Sequence, residues 1–471
     1  MSLTKVSFSM IDGASINVLD YGADATGATN SATAIQAALN AVPSGGELVF
    51  PAGTYLINSQ LTVSVNSIRI RGEVPYLGGT KIQANAASIN LFKVESYGVF
   101  FQNLTLNGFE TSSVYGENTT CKGIVFQRGN NTKDIDSQVQ NCFFDQLETG
   151  VYGIGANLEV LNSTFQRSVH GCYFERLAAT ECRGFVVNGN RFHIIGGVST
   201  DSSVANATAV KFTSVAAFMN QVINNYSDDA KFFFVGPCGH GTQISNNLIH
   251  RNRNTAIKIL ASGDNSDRVS GGVVGNVIGN LTDTAAYIDG YGIYVDGATG
   301  VLIANNSLHY IRAHGIWLTN SALKNQVVGN LINCVNVLYA TDGAIYSGIK
   351  IDSGSTFNNV ANNYIQQNLA GGMQYGINVY GDENIFSNND VYYASGATTF
   401  FNLDTTVVAY GSTESRWYAP RQEFQNAAPS TGKWSRGDIV WNSLPTSGQP
   451  PGWVCVTTGS PGTWKAMANL A

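Results

Sequence analysis

Charge is scarce in this chain: Asp, Glu, Lys and Arg make up 12% of its 471 residues, against about 25% in an average globular domain. With a net charge of -6, there is no basic surface for nucleic acid to condense on, and nucleic acid is excluded as a partner. No apolar run approaches the 18 or so residues of a spanning helix, so no membrane insertion is expected. The segment from Met1 to Ala14 lacks both the basic start and the apolar stretch of a signal peptide, which argues against Sec export. The seven cysteines are scattered and show no CxxC spacing, which excludes a zinc-finger type of site and predicts buried thiols. A Gly-Ser nucleophile elbow and a phosphate loop are also missing, so acyl transfer and nucleotide chemistry are disfavoured. No cofactor and no resident metal are expected.

Glycine is plentiful, with 51 residues, and 44% of the chain is hydrophobic and 11% aromatic, enough for a large core and too apolar for disorder. These residues fall into two interleaved series. One opens on a small residue followed by apolar, any, apolar, as in Gly123-Ile-Val-Phe, Ala256-Ile-Lys-Ile, Gly292-Ile-Tyr-Val, Gly315-Ile-Trp-Leu and Gly348-Ile-Lys-Ile. The other is an alternating stretch that ends at Asn141, Asn162, Asn190, Asn225, Asn247, Asn276, Asn306, Asn330, Asn363 or Asn389. Asn141 to Asn162 spans 21 residues and Asn190 to Asn225 spans 35, a variation that a solenoid absorbs in loops at one corner and a helical repeat does not. Short alternating strands with Asn and Gly turns therefore predict an all-β parallel solenoid of about ten to twelve coils. At its corners Asn can take left-handed backbone geometry and stack into ladders.

Ile35, Ala38, Leu39 and Val42 share one face of a predicted helix over 31–42 that caps the open end. Beyond about 405, five of the six tryptophans gather among prolines, which predicts a separate small β module. The expected division is a lead at 1–15, an N-terminal cap at 16–60, the solenoid at 61–404 and the module at 405–471.

Three segments carry a resemblance. Ile16-Asn-Val-Leu-Asp-Tyr-Gly-Ala-Asp-Ala-Thr-Gly, Ser31-Ala-Thr-Ala-Ile-Gln-Ala-Ala and Gly45-Gly-Glu-Leu-Val-Phe-Pro-Ala-Gly-Thr-Tyr-Leu-Ile look like the N-terminal signature of pectate-lyase-like right-handed β-helix proteins. With the tryptophan-rich tail, the chain resembles bacteriophage tailspike depolymerases. The resemblance implies a right-handed parallel β-helix and a homotrimer on the phage tail or baseplate. It also implies assembly in the host cytoplasm and a role in the virion at the bacterial surface, binding and depolymerising capsule or lipopolysaccharide. Tailspikes usually begin with a virion-attachment domain, whereas about 15 residues precede the signature here, which points to a shortened chain or a secondary spike.

In such a solenoid the middle residue of each Gly-Ile-x-Val unit points outward, and the units stack about 4.8 Å apart. The ladder so predicted is Tyr152, Tyr173, Lys211, Phe233, Lys258, Tyr294, Trp317, Lys350 and Asn378. Rings and ammonium groups in a row on solvent suit a glycan, with Tyr294 and Trp317 as sugar platforms and Lys258, Lys350 and His314 as polar contacts. Trimer contacts burying this face are the competing explanation. Asp289 and Asp342 lie in the long corner insertions, while Asp296 and Asp352 follow their strands by two residues on the outward side. Each alone reads most simply as a turn-capping residue. Together they form an acid and base pool for glycoside hydrolysis, and the spacing of Asp296 and Asp352, about 9 to 10 Å, lies near the inverting limit.

Asp228-Asp229 resembles the paired acids of polygalacturonases. His240 follows Asp229 by only 11 residues, about half a coil, so only Asp229 is carried over as a catalytic candidate. Glu175, with His170 and Glu148 on earlier coils, is a third candidate. The alternatives are a lyase that eliminates across a uronate, using Lys or His as base with a possible Asp-bound calcium ion, and a tail adhesin that binds glycan without cutting it. A secreted pectinase is disfavoured by the missing signal peptide.

Overall fold

The computed structural model describes residues 15–76, 78–109, 120–128, 134–175, 182–196, 206–213, 217–261, 271–279, 290–335, 346–367, 373–393, 399–403, 422–432, 434 and 436–470. The chain winds as a right-handed parallel β-helix, each turn laying one short strand in each of three sheets. One turn runs Gly272–Val274, Val277–Gly279, Ile293–Asp296, after which Leu302–Ala304 pairs in parallel with Gly272–Val274. Among the described residues the first sheet has 16 strands, the second 14 and the third 13. That exceeds the ten to twelve coils expected, because the turns before Lys122 lack the Gly-Ile unit, and Asn103, at the left-handed corner position with φ 57°, lies outside the series that the sequence shows.

Alternation does what the sequence predicts. In Ile293–Asp296, Ile293 and Val295 are buried while Tyr294 and Asp296 face outward. The small residue that opens each unit is needed for close approach: a Cβ on Gly315 would lie 2.6 Å from the Gly348 carbonyl oxygen. Core composition changes along the axis. Phe144, Phe165 and Phe192 stack in consecutive rungs, with ring centroids 4.6 and 5.0 Å apart, whereas isoleucine, leucine and valine fill the later turns.

The corner between the first and second sheets is two residues with two jobs. The first takes positive φ, as at Asn224, Asn246, Gly275, Asn305, Gly329 and Asn362. The second is buried, and from Asn190 through Asn389 it is always Asn, with Asn389 half-buried at the end of the series. The Asn276 backbone N–H and Nδ2 both donate to Asn306 Oδ1, at 3.0 and 2.9 Å. Asn306 does the same to Asn330, both at 3.0 Å, and each Nδ2 also donates to a carbonyl on the preceding coil. Asn141 and Asn162 do not belong to this buried series. They hold the left-handed position, with φ of 52° and 48°, and Cys142 and Ser163 take the inner place. A second ladder, Asn325, Asn358 and Asn384, lines the corner between the third and first sheets.

The helix Ala32–Ala41 buries Ile35, Ala38 and Leu39, and Gln36 ties it to the strand Leu61–Val63 through both Thr62 backbone groups. A separate four-stranded sheet comprises Gln422–Gln425, Ile439–Asn442, Gly452–Thr457 and Thr463–Ala466. Its core holds Trp434, Val440 and Cys455, with Trp464 edge-on to Trp434 at 4.8 Å. Cys121, Cys142, Cys172, Cys238 and Cys455 are buried free thiols. Among the described residues no helix is long and apolar enough to cross a membrane.

Asn306→Ala should strand the Asn276 donors and the Val273 carbonyl in the interior. A buried group left without its partner costs about 1 to 3 kcal/mol, so the variant should unfold at clearly lower denaturant. A midpoint equal to wild type would show that the ladder contributes nothing to stability.

Candidate functional site on the third sheet

The outward ladder of the third sheet runs through Tyr152, Tyr173, Lys211, Val235, Lys258, Tyr294, Trp317 and Lys350. It differs from the predicted ladder at two rungs: Asn378 continues the register beside Lys350 but is buried. Phe233 is fully buried, and Val235 stands in its place. The register is regular here: Phe232 pairs with Thr208, Phe234 with Val210 and Val235 with Lys211, so Phe233 falls where the neighbouring strand carries the small residue Ala209.

Around Trp317 the structure gathers most of the expected site. Tyr294 lies 4.9 Å from Trp317 between ring centroids, and His314 lies 5.3 Å from it. Lys258 sits over the Tyr294 ring at 4.9 Å and Lys350 over Trp317 at 4.7 Å. These ammonium groups cover ring faces that the sequence offers as sugar platforms, so the rings contribute to the groove as a mixed cationic and aromatic surface. Each lysine also meets an acid: Lys258 to Asp296 at 3.4 Å and Lys350 to Asp352 at 3.2 Å. Trp317 Nε1 donates to Asp352 at 2.8 Å and Asn320 donates to Asp296 at 2.6 Å. Asp296 pairs with Thr319, and the Asp352 N–H donates to the Leu318 carbonyl, which places the two acids two rungs apart on one line. Asp289 and Asp342 lie outside the described residues.

His314 is buried beneath this surface. Its Nδ1 accepts the Ser347 N–H at 3.0 Å, and its ring stacks on Tyr291 at 5.8 Å and meets Tyr346 at 5.3 Å. Burial, aided by the Lys350 charge, pushes its pKa down to about 3. His314 is thus a neutral support and not the exposed hydrogen-bonding group expected. Tyr291 and Tyr346 were not anticipated. Tyr291 directly precedes Gly292 just as His314 precedes Gly315, so extending the repeat unit by one residue would have found Tyr291.

Five rungs toward the N-terminus the same arrangement recurs around Glu175. His170 is buried with its Nδ1 accepting the Thr208 N–H at 3.2 Å, its ring 5.3 Å from Tyr173, and its pKa pushed down to about 3 by burial and then by Lys211. Glu175 accepts the phenol hydroxyls of both Tyr152 and Tyr173. Burial first, and then Glu175, push the Tyr173 phenol up to about 12 and raise Tyr152 as well. Glu148 pairs with Lys122 at 3.4 Å, and Lys122 sits 5.1 Å over Tyr152.

Asp228 and Asp229 stand apart, at the end of the second-sheet strand Tyr226–Ala230. Asp228 accepts a two-pronged contact from Arg251 at 2.9 and 2.8 Å and a third from His250 at 3.1 Å. Burial alone would raise its pKa, but these bonds outweigh burial and hold it below the ordinary carboxylate value. Asp229, at φ 61°, is paired with Arg253 at 2.5 Å. Among the described residues no cluster of His, Cys, Asp or Glu could hold a metal ion.

No family model and no curated protein matches the chain. Solved structures do. The DFA-IIIase of Arthrobacter chlorophenolicus A6 superposes with a TM-score of 0.52 at 12% identity, over 81% of this chain and 99% of that one. The mannuronan C-5 epimerase AlgE4 A-module of Azotobacter vinelandii gives 0.46 at 15%, over 84% and 100%, and the Dettilon tailspike protein gives 0.49 at 15%, over 81% and 68%. The fold is a right-handed parallel β-helix. At these identities the likeness speaks to fold alone, and the chemistry of the groove rests on its own residues.

The two buried histidines make stability depend on pH in a defined window. Each has a folded pKa near 3 and an unfolded value near 6.5, so between these values the unfolded chain binds more protons. Stability should therefore fall as pH drops below about 6.5, by up to about 1.4 kcal/mol per pH unit for each histidine. His314→Gln should flatten the slope between pH 6.5 and 5, above the carboxylate range. An unchanged slope in denaturant melts would show that His314 is not held neutral.

Proposed function

We propose that this chain is a tailspike-type depolymerase, which binds a bacterial surface polysaccharide along the outward face of the third sheet and cuts it by glycosidic hydrolysis. The observation that carries the reading is the alignment of Asp296 and Asp352 two rungs apart with Trp317 between them. Two rungs are about 9 to 10 Å, at the upper end of the separation that leaves room for a water between acid and base in an inverting glycosidase. Each of these carboxylates is paired with a lysine, an arrangement suited to a base. One of the two acts as that base and the other as the proton donor once a ligand has drawn its lysine away, and Asp289 and Asp342 adjoin this region in the chain as further candidates. The polymer lies across the ring and ammonium surface of Tyr294, Trp317, Lys258 and Lys350.

The working form is a homotrimer on a phage tail. Support comes from aromatic side chains standing in solvent, Phe100 at 38% and Tyr392 at 53% exposure, which association would cover. Elimination across a uronate is the second reading, favoured by the group of Tyr152, Tyr173, His170 and Lys211 around Glu175, where lysine, phenol and carboxylate lie within one or two rungs.

Purified capsules and lipopolysaccharides, digested and then sized with end-group analysis, test the reading. A new reducing end without ultraviolet absorbance marks hydrolysis, an absorbing unsaturated end marks elimination, and binding without shortening marks an adhesin. Asp296→Asn or Asp352→Asn should lose about 10²-fold or more in rate while keeping the melting temperature. If these and the Asn variants of Asp289 and Asp342 all digest at wild-type rates, the assignment is wrong. Light scattering should give a trimer mass, and a monomer mass would overturn that part.

A further inference from the structure

The two stations on the third sheet share their geometry but differ in one charge. In both, a buried histidine accepts the backbone N–H three residues before a lysine, and that lysine lies over the ring three residues after the histidine. His170, Tyr173 and Lys211 make one set, with Lys211 4.6 Å over Tyr173. His314, Trp317 and Lys350 make the other. At the second station Lys350 has Asp352 at 3.2 Å. At the first, both oxygens of Glu175 are taken by the phenols of Tyr152 and Tyr173, and the other nearby acid, Glu148, pairs with Lys122. Lys211 is left with no carboxylate within 4 Å among the described residues.

We propose that Lys211 is an anion-binding subsite of the groove and that the polysaccharide is acidic, with a sugar carboxylate docking on this ammonium while the chain continues toward Trp317. This rests on the depolymerase reading only for the direction of the chain. Tyr173 and Trp317 are five rungs apart, about 24 Å at about 4.8 Å per rung, so one extended chain touches both stations. Lys211 is half-buried, and burial lowers its pKa against the opposing pull of Glu175 and Glu148. An ammonium that has given up water without gaining an ion-pair partner is the group that gains most from an incoming carboxylate. The phenols that occupy Glu175 also weaken its repulsion of that carboxylate, since each donates a hydrogen bond into its charge.

Affinity electrophoresis of the full chain in gels containing polygalacturonate, alginate, their carboxyl-reduced forms or dextran tests this. Wild type should be retarded by an acidic polymer, less so as salt rises, and not by the reduced forms or dextran. Lys211→Gln should weaken retention about 10-fold, the effect of losing about 1.4 kcal/mol, and Lys211→Arg should restore most of it with the melting temperature unchanged. Retention equal to wild type in Lys211→Gln, equal retention by acidic and reduced polymers, or no retention by either acidic polymer overturns the proposal. A protein that holds acidic polymer through Lys211 but shortens no glycan would overturn the depolymerase reading and leave this one. One that cuts a carboxyl-reduced glycan as fast as its acidic parent would do the reverse.

Discussion

Everything on the outer faces depends on the spacing of one coil above the next, and the buried asparagines at the corners lock that spacing. An amide at this position satisfies three demands at once: it bonds the next amide, receives from the previous one and caps a carbonyl inside the bend. A hydroxyl or thiol meets fewer of them, as at Ser163 and Cys142, where single bonds replace the paired ones. The corner therefore repeats without drift, and residues far apart in sequence, such as Asp296 and Asp352, come to stand on one line. Loops can then vary in length at the other corners without disturbing the register of the sheets.

The fold was legible because its two periods coincide in the sequence: alternation within each strand and the return of a small residue or Asn in each coil. Legibility failed where one of these signals was ambiguous. Three consecutive phenylalanines at 232–234 offer no alternation, so the sequence does not show that Phe233 takes the inner small-residue position and Val235 the outward one, as the register with Val210 and Lys211 does. Asn-Cys and Asn-Ser pairs at 141 and 162 put an Asn in the left-handed place, with Cys142 and Ser163 in the buried one, so in sequence they look like members of the buried series. The early turns lack the small-residue unit, and Asn103 alone does not mark a repeat, so the sequence shows fewer coils than the structure has.

The site was legible as a line of side chains and illegible as a set of contacts. That Tyr294, Trp317, Lys258 and Lys350 share a face follows from periodicity. That each lysine lies over a ring and reaches an acid depends on side-chain length and rotamer, which periodicity does not carry. His314 reads in sequence as an exposed neighbour of Trp317, and the tight bend before Gly315 turns it inward instead.

A comparison of the second and third sheets bears on where chemistry belongs. On the second sheet, Asp145 is held by Arg167 and Asp228 by Arg251 and His250, so these acids meet guanidinium forks that match their geometry and leave little to offer a ligand. The third sheet uses lysine where the second uses arginine. A lysine ammonium is a point charge on a flexible stem, able to leave Asp296 or Asp352 for a sugar at small cost. Neutral histidines beneath the rings add no competing charge to that exchange. Arginine thus builds a closed ion-pair surface on the second sheet and lysine an exchangeable one on the third, and the exchangeable face is the one on which a ligand can compete.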